Sequence, residues 1–133
     1  MLRRGATAMA VGRIGLGVVA LTSPAVVARP WVGPSGESQA GQVLGRALGA
    51  RDLALGLGTL GALRRPPGPG TDRAATTWVG LSALADGADL LVTLGSWGRL
   101  PTRGRWLVAA AAGGAAALGL TAVAVQTPAG ITR

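Results

Sequence analysis

The chain has no cysteine, histidine, lysine, tyrosine or phenylalanine. Without cysteine there is no disulfide, thiol nucleophile or thiolate metal site, and compartment cannot be argued from redox chemistry. Without histidine, Ser/His catalysis and imidazole metal ligation are impossible within the chain. No glycine-rich segment can form a phosphate loop, because that loop needs a lysine. Tryptophan is the only aromatic, at Trp31, Trp78, Trp97 and Trp106, so the aromatic bulk on which soluble cores rely is missing. Acidic residues are also scarce, at 5 against 13 basic ones.

What is there is small and apolar. The 133 residues are 49% hydrophobic and 14% charged, with 23 glycines and abundant alanine. The length suits one domain. Small residues let helix backbones approach in lipid, which favours a membrane protein over the competing reading of a soluble all-helical domain. Four apolar stretches, at about residues 5–28, 42–63, 75–97 and 105–126, each approach the roughly 20 residues a helix needs to cross a bilayer. The expected fold is therefore all-α, a bundle of four transmembrane helices forming a single membrane domain.

The breaks between these stretches are chemically distinct. Pro30, Pro34, Ser35 and Gly36 follow the first, the run RRPPGPG from Arg64 to Gly70 follows the second, and Pro101 lies in the third. Prolines there remove backbone donors and clash with the preceding turn. All four tryptophans fall at or near the ends of the stretches, the headgroup level that indoles prefer, and read as interface anchors. The opening MLRR with Val26-Val27-Ala28 has features of a cleavable signal peptide, but Arg13 inside the apolar run and three further spans favour a retained helix.

Six charged residues, Arg13, Arg46, Arg51, Asp52, Asp86 and Asp89, lie inside the apolar stretches. A charge at that depth costs roughly 2.5–3.5 kcal/mol on insertion scales, and such residues face the bundle interior, pair, or mark a pathway. Three are basic and three acidic, leaving ten arginines against Glu37 and Asp72, so the whole +8 net charge lies in loops and tails. That excess suits attraction to anionic headgroups. No basic stripe interleaved with aromatics points to nucleic acid. Arg3, Arg4, Arg64, Arg65, Arg73 and Arg133 on one side outnumber Arg29, Arg99, Arg103 and Arg105 on the other, which predicts cytoplasmic termini.

Helical spacing places Ser82, Asp86, Asp89 and Thr93 in one polar stripe, which must face protein or water. Gly41, Gly45, Gly49, Asp52 and Gly56 share another face, a groove that admits a close neighbour. Arg46 and Arg51 point in different directions, so at least two neighbours are expected for them, unless one of them, close to a helix end, snorkels toward the headgroups instead. Arg13, with Gly17 one turn beyond, is placed to hold Asp52 or the Asp86/Asp89 pair through its planar fork. The last stretch carries none of the six charges and is expected to pack through Ala109, Gly113 and Ala117, or to face a partner.

Two neighbouring carboxylates invite a metal reading, but nearby guanidinium groups compete with any cation, so no metal and no cofactor is expected. Asp86-Gly87 with Asp89 echoes the opening of the motif of membrane enzymes that transfer phospho-alcohols, yet the downstream arginine and later aspartates are missing, and that reading is rejected. The segment from Arg46 to Gly56, RxxGxRDxxxG, with an arginine in the first helix and aspartate in the third, resembles small four-helix membrane proteins of uncharacterised function in high-GC bacteria. The resemblance implies a multi-pass protein of the bacterial cytoplasmic membrane and carries over no activity. The expectation is a non-enzymatic structural or interaction component held by an Arg/Asp network, with a membrane-protein partner or a second copy as its company. The rival is a transporter subunit for a small solute, ion or proton, with Asp86 and Asp89 lining its path.

Overall fold

Helices account for the regular structure of the computed structural model, which describes residues 2–66 and 68–126; among them there is no strand. The five α-helices are α1 (Leu2–Thr22), α2 (Pro24–Val32), α3 (Gln39–Arg64), α4 (Pro69–Gly95) and α5 (Thr102–Gln126), with a 3-10 turn over Gly33–Glu37 between α2 and α3. Three of them, over Arg3–Thr22, Gly70–Gly95 and Thr102–Ala124, are long and apolar enough to cross a membrane. The α3 helix is as long but carries Arg46, Arg51 and Asp52 within seven residues.

Local chemistry sets the boundaries. The first apolar stretch is two helices, because Pro24 supplies no N–H and Ser23 before it is driven out of the helical region, at φ −138° and ψ 65°. Pro30, expected to interrupt the chain, instead lies inside α2, which runs on to Val32 and ends at Gly33 with φ +70°, a left-handed value that favours glycine. Ser38 caps α3, its hydroxyl accepting from the Gly41 N–H at 3.0 Å. Arg65, preceding Pro66, is extended and closes α3. Pro69 stands in the first turn of α4, where its missing donor costs nothing.

The helices pair as two antiparallel layers. The α1 helix lies along α3, and α4 lies along α5; contact between α3 and α4 joins the layers, while α2 folds across the ends of α3 and α5. Packing is inverted relative to a soluble core. Of the nine buried hydrophobic residues among those described, eight are alanines and one is Leu55, while Leu84, Leu91, Leu118 and Leu120 point outward. Small residues inside and large aliphatics outside suit a lipid surround, where there is no hydrophobic drive between helices and close van der Waals packing holds them.

Close approach of α1 to α3 depends on glycine. A Cβ at Gly49 would lie 2.7 Å from Ala20 Cβ and 2.9 Å from the Gly17 carbonyl, and one at Gly56 would lie 2.7 Å from the Ala10 carbonyl. Gly45 meets Pro24 of α2, and Gly41 meets the 3-10 turn. On α5 the buried positions among the described residues are Gly104, against α2, and Ala112, Ala116 and Gly119, with Gly119 against Ala83; Gly113 is half-buried near Leu90, and Ala117 is exposed. The packing face of α5 is thus rotated from the expected one.

Candidate functional site

Arg13, Asp52 and Asp86 stand near the middle of α1, α3 and α4. Since α1 packs on α3 and α3 on α4, the three residues meet at mid-depth. Arg13 Nη1 donates to Asp52 Oδ1 at 2.7 Å, and Arg13 Nη2 donates to Asp86 Oδ2 and, at 3.3 Å, to the Ser82 carbonyl. One guanidinium therefore ties α1 to both α3 and α4. Arg51 grips Asp89 with a two-pronged fork, Nη1 to Oδ1 at 2.8 Å and Nη2 to Oδ2 at 2.7 Å, and its Nη2 also reaches Asp52 Oδ1 at 3.4 Å. This bidentate geometry is the strongest that arginine offers a carboxylate.

The contacts form a chain running Asp86–Arg13–Asp52–Arg51–Asp89. It contains three carboxylates and two guanidinium groups, so its formal charge is −1. Arg46 is outside it: the residue is exposed, and among the described residues it makes no ion pair. Asp52 and Asp86 are each only 7% exposed. Each uses one carboxylate oxygen on arginine, and Asp52 Oδ2 and Asp86 Oδ1 accept no hydrogen bond from a described residue.

Ser82 and Thr93 complete the α4 stripe. Both are buried; Ser82 gives its carbonyl to Arg13, and the Thr93 hydroxyl donates at 2.7 Å to the Asp89 carbonyl one turn back. The remaining anchor residues divide. Trp97 and Trp106 meet edge to face at 4.9 Å in the α4–α5 corner, where Arg105 lies 5.0 Å over the Trp97 ring. Trp78 is set within α4, its ring filling the space that a Gly58 side chain would take. Trp31, on α2, lines the site itself.

No family model, curated protein or solved structure matches the chain.

The charge chain forms the inner wall of a cleft of about 810 Å³. Leu16 and Val19 of α1, Val26 of α2 and Leu107 of α5 line it and are themselves largely exposed, so the cleft opens sideways between α1–α2 and α5. A smaller cavity of about 290 Å³ lies toward the start of α1 and the end of α5. The two share Met9, Arg13 and Ala115, so Arg13 stands at the partition. Sequence alone pointed to the acids and to Arg13 but not to the part played by α2, whose Pro30 and Trp31 lie against α5 at Gly104. Trp31 as a headgroup anchor and Trp31 as a cleft residue have the same sequence signature.

Proposed function

We propose that the chain is a four-span protein of the bacterial cytoplasmic membrane, a non-enzymatic component whose helices are registered by the intramembrane Arg/Asp chain. The observation that carries this reading is Arg13, which holds carboxylates on two other helices at once. The α3 helix serves as the fourth span. Its 26 residues extend about 39 Å, and Val43, Leu44 and Leu57 present apolar surface outward. Its internal charges are neutralised largely by neighbours, which offsets the insertion cost that its own composition implies. The engagement of Arg13 also supports keeping α1 in the mature protein. Arg46, eight residues into α3, snorkels toward the nearer headgroups. The short RxxGxRDxxxG segment supports kinship with small four-helix proteins of high-GC bacteria, and the arginine balance supports cytoplasmic termini.

The test is folded yield and thermal stability of Asp86→Asn and Asp89→Asn in detergent; a structural chain requires both to fall, and wild-type values in both would sink the reading. A second reading, transport of a small solute, ion or proton, is favoured by the position of Asp86 and Asp89 on the cleft wall. Its test is flux in proteoliposomes, lost in variants that still fold.

A further inference from the structure

We infer that the lateral cleft is a binding site for an amphipathic organic monocation, a primary ammonium group on an apolar body, entering from the bilayer. The inference deepens the transport reading by naming its ligand class. Three independent features converge on it.

The cleft has the size and character of a small-molecule site, which typically occupies about 300–1,000 Å³ with mostly apolar walls and a few convergent polar groups. At about 810 Å³ it fits that range, and its polar groups are gathered on one wall. Its rim residues Leu16, Val19, Val26 and Leu107 are apolar and outward-facing, so a molecule dissolved in lipid reaches it without crossing water.

The wall then selects the sign of charge. Three carboxylates face two guanidinium groups, leaving a formal charge of −1 for which no other described residue supplies an ion-pair partner. An anion would be repelled, and a neutral molecule would leave that charge uncompensated in a medium of low dielectric. A compact dication is poorly served, since Arg13 and Arg51 already occupy the carboxylates and, among the described residues, no group of three acidic side chains is arranged to hold a metal.

The hydrogen-bonding inventory selects the headgroup. Asp52 Oδ2 and Asp86 Oδ1 belong to buried residues on the cleft wall whose side chains are 10% exposed, and neither accepts a hydrogen bond from a described residue. An ammonium offers three donors, matching the two vacant acceptors and the surplus charge together, while Trp31 Nε1 and Arg51 Nε, buried on the same lining without a hydrogen-bond partner among the described residues, take an acceptor on the apolar body.

The experiment uses the full chain in phosphatidylcholine nanodiscs with dansylcadaverine, a fluorescent primary ammonium. Its comparison probes are neutral N-pentyl dansylamide and the anionic dansyl-6-aminohexanoate, with empty discs as blank. The expected result is saturable binding of the ammonium at least tenfold tighter than of either comparison probe. Ala111→Trp, which fills the cleft from α5, a helix that carries none of the chain's charged residues, is expected to weaken ammonium binding at least tenfold. Asp86→Asn balances the chain and is expected to abolish the preference for the ammonium over the neutral probe; if that variant does not fold, the Ala111→Trp comparison stands alone. Glu37→Gln, on the 3-10 turn away from the cleft, is expected to bind as wild type. Equal binding of all three probes, preference for the anion, or unchanged binding in Ala111→Trp would overturn the inference. Binding is read without any gradient, so its outcome is separate from that of the flux measurement.

Discussion

Removing Arg13 should damage the protein more than removing either acid it holds, and the reason is the count of charges. With Arg13→Met, Asp52 and Asp86 lose their α1 partner, and the chain passes from one surplus negative charge to two. Orphaning a buried ion-pair partner costs about 3–5 kcal/mol. At about 1.4 kcal/mol per decade, the unfolded fraction rises by roughly two to three and a half decades. Asp86→Asn acts in the other direction: it leaves two guanidinium groups against two carboxylates, keeps Arg13 on Asp52, and retains an amide oxygen that accepts a hydrogen bond. Its cost is about 1–2 kcal/mol, that of weakening one charge-assisted bond. The measurement is reversible unfolding in mixed micelles, followed by far-ultraviolet circular dichroism as the fraction of denaturing detergent is raised. Adding Asp86→Leu to Arg13→Met should recover part of the loss by removing an orphaned acid. An Arg13→Met variant no less stable than Asp86→Asn would refute the reasoning, as would a double variant worse than Arg13→Met alone.

Other perturbations probe the remaining parts of the bundle. Arg46→Gln should change stability by less than about 0.5 kcal/mol in the same unfolding measurement, because the residue is exposed and outside the charge chain. Gly49→Val should lower stability by about 1–3 kcal/mol, since even its Cβ meets Ala20 and the Gly17 carbonyl. Gly114→Ala, where nothing lies within 4 Å, should raise it by up to about 1 kcal/mol. Gly58→Leu should expel the Trp78 indole from α3. Quenching of Trp78 by a brominated lipid, in a variant with the other tryptophans replaced by phenylalanine, should increase; unchanged quenching would count against the contact.

How much of this was legible in the sequence depended on contrast along each helix. On α4 the stripe of Ser82, Asp86, Asp89 and Thr93 stands out against leucine and valine, and on α3 Gly41, Gly45, Gly49, Asp52 and Gly56 follow one another at intervals of three or four residues, so both faces could be named from spacing. Pairing could not. Arg46 and Arg51 differ by about 140° around the helix, but nothing in spacing says which of them joins the ion-pair chain and which stays outside it. The third arginine thus left the network, and an expected neutral set became an acidic one. On α5 the runs Ala109–Ala112 and Ala115–Ala117 are nearly uniform, so Ala112 and Ala116 could not be distinguished from Ala109 and Ala117 as the buried face. Ser23 was hidden for a different reason: composition stays apolar across the break, and only the missing N–H of Pro24 marks it. Trp78 lies near the start of an apolar stretch as hydropathy draws it, yet α4 begins at Pro69, well before that stretch.

Arg13 stands at the partition between the two cavities, and it is also the side chain that binds three helices. Cohesion and closure therefore reside in the same bonds. Moving this guanidinium off its acids to open the partition would also unfasten α1 from α3 and α4. The barrier to passage and the barrier to helix separation are coupled: a substitution that eases the first lowers the second. A bundle so built cannot become a wider conduit by small changes at its centre without becoming a weaker bundle.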